Sequence, residues 1–475
     1  MALEKMIYEG TFIHCTSLTK LDIITNGSIG VNEHGKIAFI QREHNGSGSP
    51  KSAGWEAAKI VKIQDHGFFF PGFIGRPLSS IARMTAVANN RADTHIHASQ
   101  YPNAGVFGKS TLLDWLNMYT FPMESSFRNL QKAARVYNRV VARTLSHGTT
   151  TACYYATIHV PATNLLADIC QSRGQRAFVG RVCMSELAPD HYKDESTESA
   201  LRDTQSCIDH IKEIDPGYDL ITPIITPRFA PSCTTEALSA LGRLHHETGL
   251  PCQTHMSENL PECRLVKELF PDSKSYADVY DSTGLLTSKM ILAHCVHLSP
   301  EEQDLIKARD TKISHCPASN TSLTSGTAKV RQLLNRGITV GLGTDVSGGY
   351  TSSMLVEARE ALFVSRHVAM TDGDAAKLSV EEALYLATRG GAKVVGLEDR
   401  IGGFEVGKDW DAQMISLTEV DESSDLDQSA GPVEIFGSED WDTKIAKWVY
   451  TGDDRNTMAV WVKGRLVHSR AALKP

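Results

Sequence analysis

From about Gly148 to Gly349 the chain repeats one pattern: a short β-branched run ending in polar or ionisable residues, then an amphipathic helical stretch. Repetition of that pair is the mark of βα units, and consecutive units build a parallel sheet. Strands are expected at 149–155, 177–184, 220–228, 251–255, 290–294, 312–315 and 338–345, and the segment ending in Asp93-Thr94-His95-Ile96-His97 supplies one more. Helices such as 129–146, 234–248 and 330–336 separate them. Eight parallel strands with intervening helices fit a closed barrel better than an open sheet, so the expected class is α/β with a TIM-like (β/α)8 barrel. No sequence repeat points to a solenoid.

Outside this stretch the pattern changes. Residues 7–40 read as short strands and turns around Asn32-Glu33-His34-Gly35, and 448–468 read the same way around Gly452-Asp453-Asp454. The two ends are expected to pair into one small β-sandwich domain, contributed by 1–67 and 401–475, with 68–400 as the barrel. Phe68-Phe69-Phe70-Pro71-Gly72-Phe73-Ile74 reads as the approach to the first barrel strand. Residues 75–92 then intervene before Asp93; they are polar, carry arginines and are ill suited to a buried strand.

Composition sets outer bounds on this picture. A chain of 475 residues accommodates a barrel of about 250 residues and a second unit. Hydrophobic residues at 41% and charged residues at 22% are ordinary globular usage. A net charge of −8 argues against a nucleic-acid partner, which calls for a clustered basic surface. No apolar run approaches a spanning helix, and Met-Ala-Leu-Glu-Lys lacks the apolar core of a signal peptide, so a cytoplasmic location without membrane contact is expected. The 10 cysteines are scattered singly. Free buried thiols follow, and the missing C-x-x-C pair excludes the zinc signature of the cytidine-deaminase fold.

His95 and His97, at i and i+2, face the same side of a strand. Alone, such a pair is as well explained by two ordinary histidines. Three further expected strands also end in groups fit for metal or acid–base chemistry: His255, His294 and Asp345. The C-terminal strand ends are where barrel enzymes assemble their sites, and imidazoles with a carboxylate suit a divalent cation such as Zn2+. Glu258, three residues past His255, is placed to shuttle a proton to and from a water at such a centre; starting a helix favourably is its bland alternative.

With those residues in place the chain resembles the metal-dependent amidohydrolases and, within them, the guanine-deaminase family. The H-x-H and Gly343-Thr344-Asp345 elements are shared across the superfamily. The narrower likeness lies in His97-Ala98-Ser99-Gln100-Tyr101, Thr226-Pro227-Arg228-Phe229 and Thr344-Asp345-Val346-Ser347-Gly348-Gly349-Tyr350. Trp115-Leu116-Asn117, His255-Met256-Ser257-Glu258-Asn259, His315-Cys316-Pro317 with Ser319-Asn320, and Gly403-Phe404-Glu405-Val406-Gly407-Lys408-Asp409 extend it.

The resemblance implies one Zn2+ per subunit held by His95, His97, His255 and Asp345, with His294 beside the attacking water. It puts Gln100, Arg228 and Phe229 at guanine-binding positions, together with His97, His255, Glu258 and Asp345. The expected reaction is hydrolytic deamination at C2 of guanine to xanthine and ammonia: Glu258 moves protons, and His294 and Asp345 orient the water. A homodimer is implied as well. Read without the family, Arg228 also fits a salt bridge at the barrel rim and Phe229 a core position. Two-metal relatives use a carboxylated lysine from the fourth strand; here that strand reads Ile221-Thr222-Pro223-Ile224-Ile225-Thr226-Pro227-Arg228, which favours a single metal. Deaminases of other aminopurines, pterins or triazines are the nearest alternatives.

Relatives run almost directly from Pro-Gly-Phe-Ile to Asp-Thr-His-Ile-His, so 75–92 stands out as an insertion. Its removal restores the family spacing in frame, as a translated retained intron would; a true insertion is the other reading. An insertion that displaced His95 and His97 would leave a catalytically impaired barrel.

Overall fold

The computed structural model describes residues 3–43, 54–63, 66–72, 93–420 and 431–470. Among them, one all-parallel sheet runs in the order Ile221–Pro223, Arg176–Gly180, Thr151–Tyr155, Asp93–His97, Val340–Leu342, Lys312–His315, Met290–His294, Cys252–Met256. It closes on itself through Ile225, whose N–H donates to the Pro251 carbonyl at 3.0 Å and whose carbonyl accepts from Gln253 N–H at 2.9 Å. The result is the expected eight-stranded barrel.

Two expected strands break in two. In 220–228, Pro223 and Pro227 have no N–H to donate, and the stretch divides into Ile221–Pro223 and Thr226–Pro227. The later piece pairs with Val182–Cys183, the continuation of Arg176–Gly180, and carries the chain upward to Arg228. The expected helices form where their caps allow. Asn129 accepts from Lys132 N–H at the start of Leu130–Ser146, and Thr234 from Ala237 N–H at the start of Thr235–Thr248, which stops at a left-handed Gly249.

The chain ends pair into a second sheet built on the antiparallel strands Met6–Ser17 and Lys20–Val31, each 12 residues and longer than the sequence suggests. Ala412–Ser416, Thr457–Val462 and Arg465–Ser469 join from the other end. Gly67–Pro71 lies between the two sets, beside Met6–Ser17 and antiparallel to Ala412–Ser416, so Phe68-Phe69-Phe70-Pro71 completes this sheet instead of leading into the barrel. The reason is that both its faces are covered. Phe69 stacks on Phe12 at 5.1 Å inside the sheet's aromatic core, while Phe68 and Phe70 point the other way onto Trp448, at 5.3 and 4.9 Å. A continuously apolar run is what a barrel strand shows too, hence the misreading. Residues 448–451 are likewise helical, not extended. They end the helix Trp441–Thr451, capped by Asp440 and burying Ile445, Trp448 and Val449 on one stripe.

Residues 75–92 lie outside the described residues. Asp93–His97 is nonetheless paired on both sides, Asp93 with Leu342 and Ala152, Ile96 with Tyr154 and His97 with Tyr155. At the opposite end of the barrel Arg176, fully buried, reaches Asp409 at 3.1 Å and Asp411 at 3.4 Å, tying barrel to chain-end segment. Among the described residues no helix is long and apolar enough to cross a membrane.

Candidate active site

The strand-end residues singled out in the sequence converge at one end of the barrel. His95 and His97 project from the first strand, His255 and His294 from the ends of theirs, and Asp345 from just past Val340–Leu342. The close approach of the first and last strands depends on Gly343: a Cβ there would lie 2.7 Å from the His95 Cβ and 2.6 Å from the Ser314 hydroxyl. His294 (φ 69°) and Asp345 (φ 44°) both sit in the left-handed region, which residues other than glycine adopt uncommonly.

One ligand atom from each of His95, His255, His294 and Asp345 lies within 4.8 Å of the others. His97 completes a tighter set: its Nε2 is 3.0 Å from His255 Nε2 and 3.4 Å from Asp345 Oδ1, and His95 Nε2 is 3.1 Å from that same oxygen. Four donors held tetrahedrally at ~2.0–2.1 Å from a zinc ion would be about 3.3 Å apart. The spacing therefore fits a metal of that size.

The charge states fit as well. Burial holds the His95, His97 and His255 imidazoles below their ordinary pKa, well below for the last two, so all three are neutral at pH 7, the state in which an imidazole can donate a lone pair to a metal. His255 Nδ1 donates to the Arg228 carbonyl at 2.5 Å, leaving the Nε2 lone pair directed inward. Asp345 is driven well below the usual carboxylate range: burial opposes ionisation, but the imidazoles of His95, His294 and His97 outweigh it. The Ser319 hydroxyl donates to its Oδ2 at 2.6 Å.

His294 and Glu258 lie to the other side of Asp345. His294 Nε2 is 3.7 Å from Asp345 Oδ2 and 3.5 Å from Glu258 Oε2, and its Nδ1 donates to Asn320 Oδ1 at 2.9 Å. Burial alone would lower its pKa; Glu258 and Asp345 reverse that and raise it. Glu258 is pushed up to about 7, chiefly by burial and also by Asp345, and Ser325 donates to its Oε1 at 2.9 Å. A carboxyl group so placed can gain or lose a proton near neutral pH.

Gln100, Arg228 and Phe229 line the same cavity, with Leu112, Trp115, Leu116 and Leu323 as its apolar wall. Sequence reasoning missed the group that organises the polar wall. Glu124, fully buried, accepts from Arg228 at 2.7 and 3.2 Å, from Gln100 at 2.8 Å and from Tyr192 at 2.9 Å. It also missed Ser325, and it quoted Ser319 and Asn320 only as part of a motif. Burial against histidine and arginine is the signal that exposes Glu124.

The chain has relatives among known proteins along nearly its whole length. A family model described as the Amidohydrolase family matches residues 70–467. A probable guanine deaminase of Schizosaccharomyces pombe is 48% identical over 97% of this chain and 83% of its own length. The guanine deaminase of Dictyostelium discoideum is 43% identical, over 97% of this chain and 98% of its own. Among solved structures, guanine deaminase from C. acetobutylicum with guanine in its active site aligns with a TM-score of 0.84 at 33% identity, covering 98% of this chain and all of that one.

Proposed function

The chain belongs to the amidohydrolase family, and we propose that it converts guanine and water to xanthine and ammonia. It is a hydrolase of C–N bonds, and the family is metal-dependent. What carries the guanine reading is one cavity that joins a metal-sized cluster of buried donors, a proton-carrying Glu258 and a polar wall of Arg228 and Gln100. Relatives named guanine deaminase match along nearly the whole chain.

The metal is assigned as one Zn2+ held by His95, His97, His255 and Asp345. The division of labour at Asp345 supports that set. His95 and His97 face Oδ1, whereas His294 faces Oδ2 and Glu258, which puts His294 on the side of the reacting water. A divalent cation held there supplies Lewis acidity and lowers the pKa of a water toward neutrality.

The chain's own groups do the rest. Asp345 and His294 orient the water toward C2 of guanine. Glu258 accepts a proton from it and delivers that proton to N3 of the ring. After oxygen has added to C2, Glu258, now ionised, takes the remaining hydroxyl proton and passes it to the exocyclic nitrogen, whose bond to C2 breaks to release ammonia and leave the C2 carbonyl of xanthine. Arg228 and Gln100 hydrogen-bond the polar edge of the purine, Phe229 offers its ring an apolar surface, and Leu112, Trp115 and Leu116 keep bulk water out.

A cytoplasmic homodimer goes with this reading, on family resemblance alone. The direct test is xanthine and ammonia release from guanine by the purified protein, with bound zinc quantified, for the full chain and for a form lacking residues 75–92. Activity in either form supports the assignment; a zinc-loaded protein inert in both forms overturns it. Activity confined to the shorter form would mark the segment as foreign to the working enzyme.

A further inference from the structure

The steps above leave Glu124 without a part, yet its carboxylate is the most heavily engaged polar group on the substrate side of the cavity. It stands in the short helix Phe121–Ser125, fully buried. Both terminal nitrogens of Arg228 donate to it, at 2.7 and 3.2 Å, and the guanidinium lies 5.1 Å over the ring of Phe121. The Gln100 amide nitrogen donates at 2.8 Å and the Tyr192 hydroxyl at 2.9 Å, while His97 Nδ1 stands off at 3.9 Å.

Two consequences follow from donor and acceptor chemistry. An ionised carboxylate can only accept, and the Ser347 N–H, 3.3 Å from Gln100 Oε1, can only donate. The Gln100 amide is thereby locked one way round. Second, Arg228 is 2% exposed, and a buried guanidinium is tolerable only when a counter-charge is close. Paired with Glu124, it retains donors for a ligand but contributes no net charge to the wall.

We propose that Glu124 is a positioning residue for the purine: by neutralising Arg228 and fixing the Gln100 amide, it makes the site select a neutral purine over an anionic one, the product's anion included. The inference rests on the guanine reading above.

The test uses the zinc-loaded full chain, with guanine as substrate and xanthine as inhibitor at mildly alkaline pH, where xanthine is partly ionised. Glu124→Gln keeps the size, removes the counter-charge and supplies a donor that releases one of the two locks on the Gln100 amide. Expected are a KM for guanine raised roughly ten- to a hundredfold, the worth of a hydrogen bond to a charged group, a much smaller change in kcat, unaltered zinc and tighter inhibition by xanthine. Added to Arg228→Met, the substitution should raise KM little further, because the two act through one contact.

An unchanged KM, a parallel loss of affinity for guanine and xanthine, or additive effects in the double variant would overturn the proposal. If Glu124→Gln does not fold, Glu124→Asp carries the test: charge is kept and reach is lost, so KM should rise without a gain in xanthine affinity, and an unchanged KM overturns the idea. A wild-type enzyme inert toward guanine defeats the underlying reading instead, whatever Glu124 does.

Discussion

Glu258 Oε2 lies 3.5 Å from His294 Nε2, while its Oε1 accepts the Ser325 hydroxyl at 2.9 Å. Both oxygens are thus held at defined places, and burial keeps the group near its protonation midpoint at neutral pH. Glu258→Gln preserves the size and the Ser325 contact but cannot carry a proton. Its kcat should fall by about 10²–10⁴, the usual worth of a general acid–base, with guanine affinity and zinc content close to wild type. Steady-state kinetics and metal analysis on one preparation check this; loss of zinc in the variant would make the role structural.

Removing the metal should cost stability as well as activity. His97 Nε2 and His255 Nε2 face each other at 3.0 Å, and the imidazoles of His95, His97 and His294 crowd the Asp345 carboxylate at 3.1, 3.4 and 3.7 Å, an arrangement that a cation between them would relieve. A cation binding only the folded chain stabilises it in proportion to the logarithm of its concentration, about 4 kcal/mol at a thousandfold excess over Kd. Dialysis against a chelator should therefore abolish xanthine formation and lower Tm, and titrated zinc should restore both together. A Tm indifferent to zinc would count against the assigned cluster.

The barrel and its catalytic end were legible because chemistry and period coincide there. His95, His255 and His294 each sit within two residues of the C-terminal end of a barrel strand, and the i, i+2 spacing of His95 and His97 carries through to one face. Asp409, noticed only within a resemblance motif, acquires its physical reason from Arg176, Arg400 and Lys36. What stayed hidden depends on distance in sequence. Glu124 sits in Pro122-Met123-Glu124-Ser125, a segment with no telling spacing, and meets Arg228 only across 104 residues. Phe68-Phe69-Phe70 was assigned to the wrong sheet because an apolar run records that both faces are buried and not by what.

Asn320 should matter for turnover through His294. Its side-chain oxygen takes the proton on Nδ1 at 2.9 Å, which fixes the ring so that Nε2 faces Glu258 and Asp345. Asn320→Ala leaves a buried N–H unpaired and the ring free to change tautomer. Support of this kind is typically worth 10–100-fold in activity or metal affinity, and here the loss should fall on kcat with zinc content preserved, since His294 is assigned outside the ligand set. Loss of zinc on metal analysis would instead make His294 a ligand.

Acid sensitivity should trace in part to the far end of the barrel. Burial there raises the Asp409 pKa, but Arg176, Arg400 and Lys36 outweigh it and hold the carboxyl down at about 2, against an ordinary 3.8. A depressed carboxyl stabilises the fold above its unfolded pKa and loses that contribution as pH falls through the folded one, so the window runs from about pH 4 down to pH 2 and is worth on the order of 2 kcal/mol. Asp411 beside it is shifted upward, chiefly by burial, and partly offsets the effect. Asp409→Asn also takes from the fully buried Arg176 the nearer of its two carboxylate partners, leaving Asp411 at 3.4 Å, so at neutral pH the variant should lose about 3 kcal/mol. Its stability should then decline less steeply than wild type as the solution is acidified. Urea unfolding of both proteins from neutral pH down into that window measures the difference; curves that stay parallel throughout would show that Asp409 keeps its ordinary pKa in the folded chain.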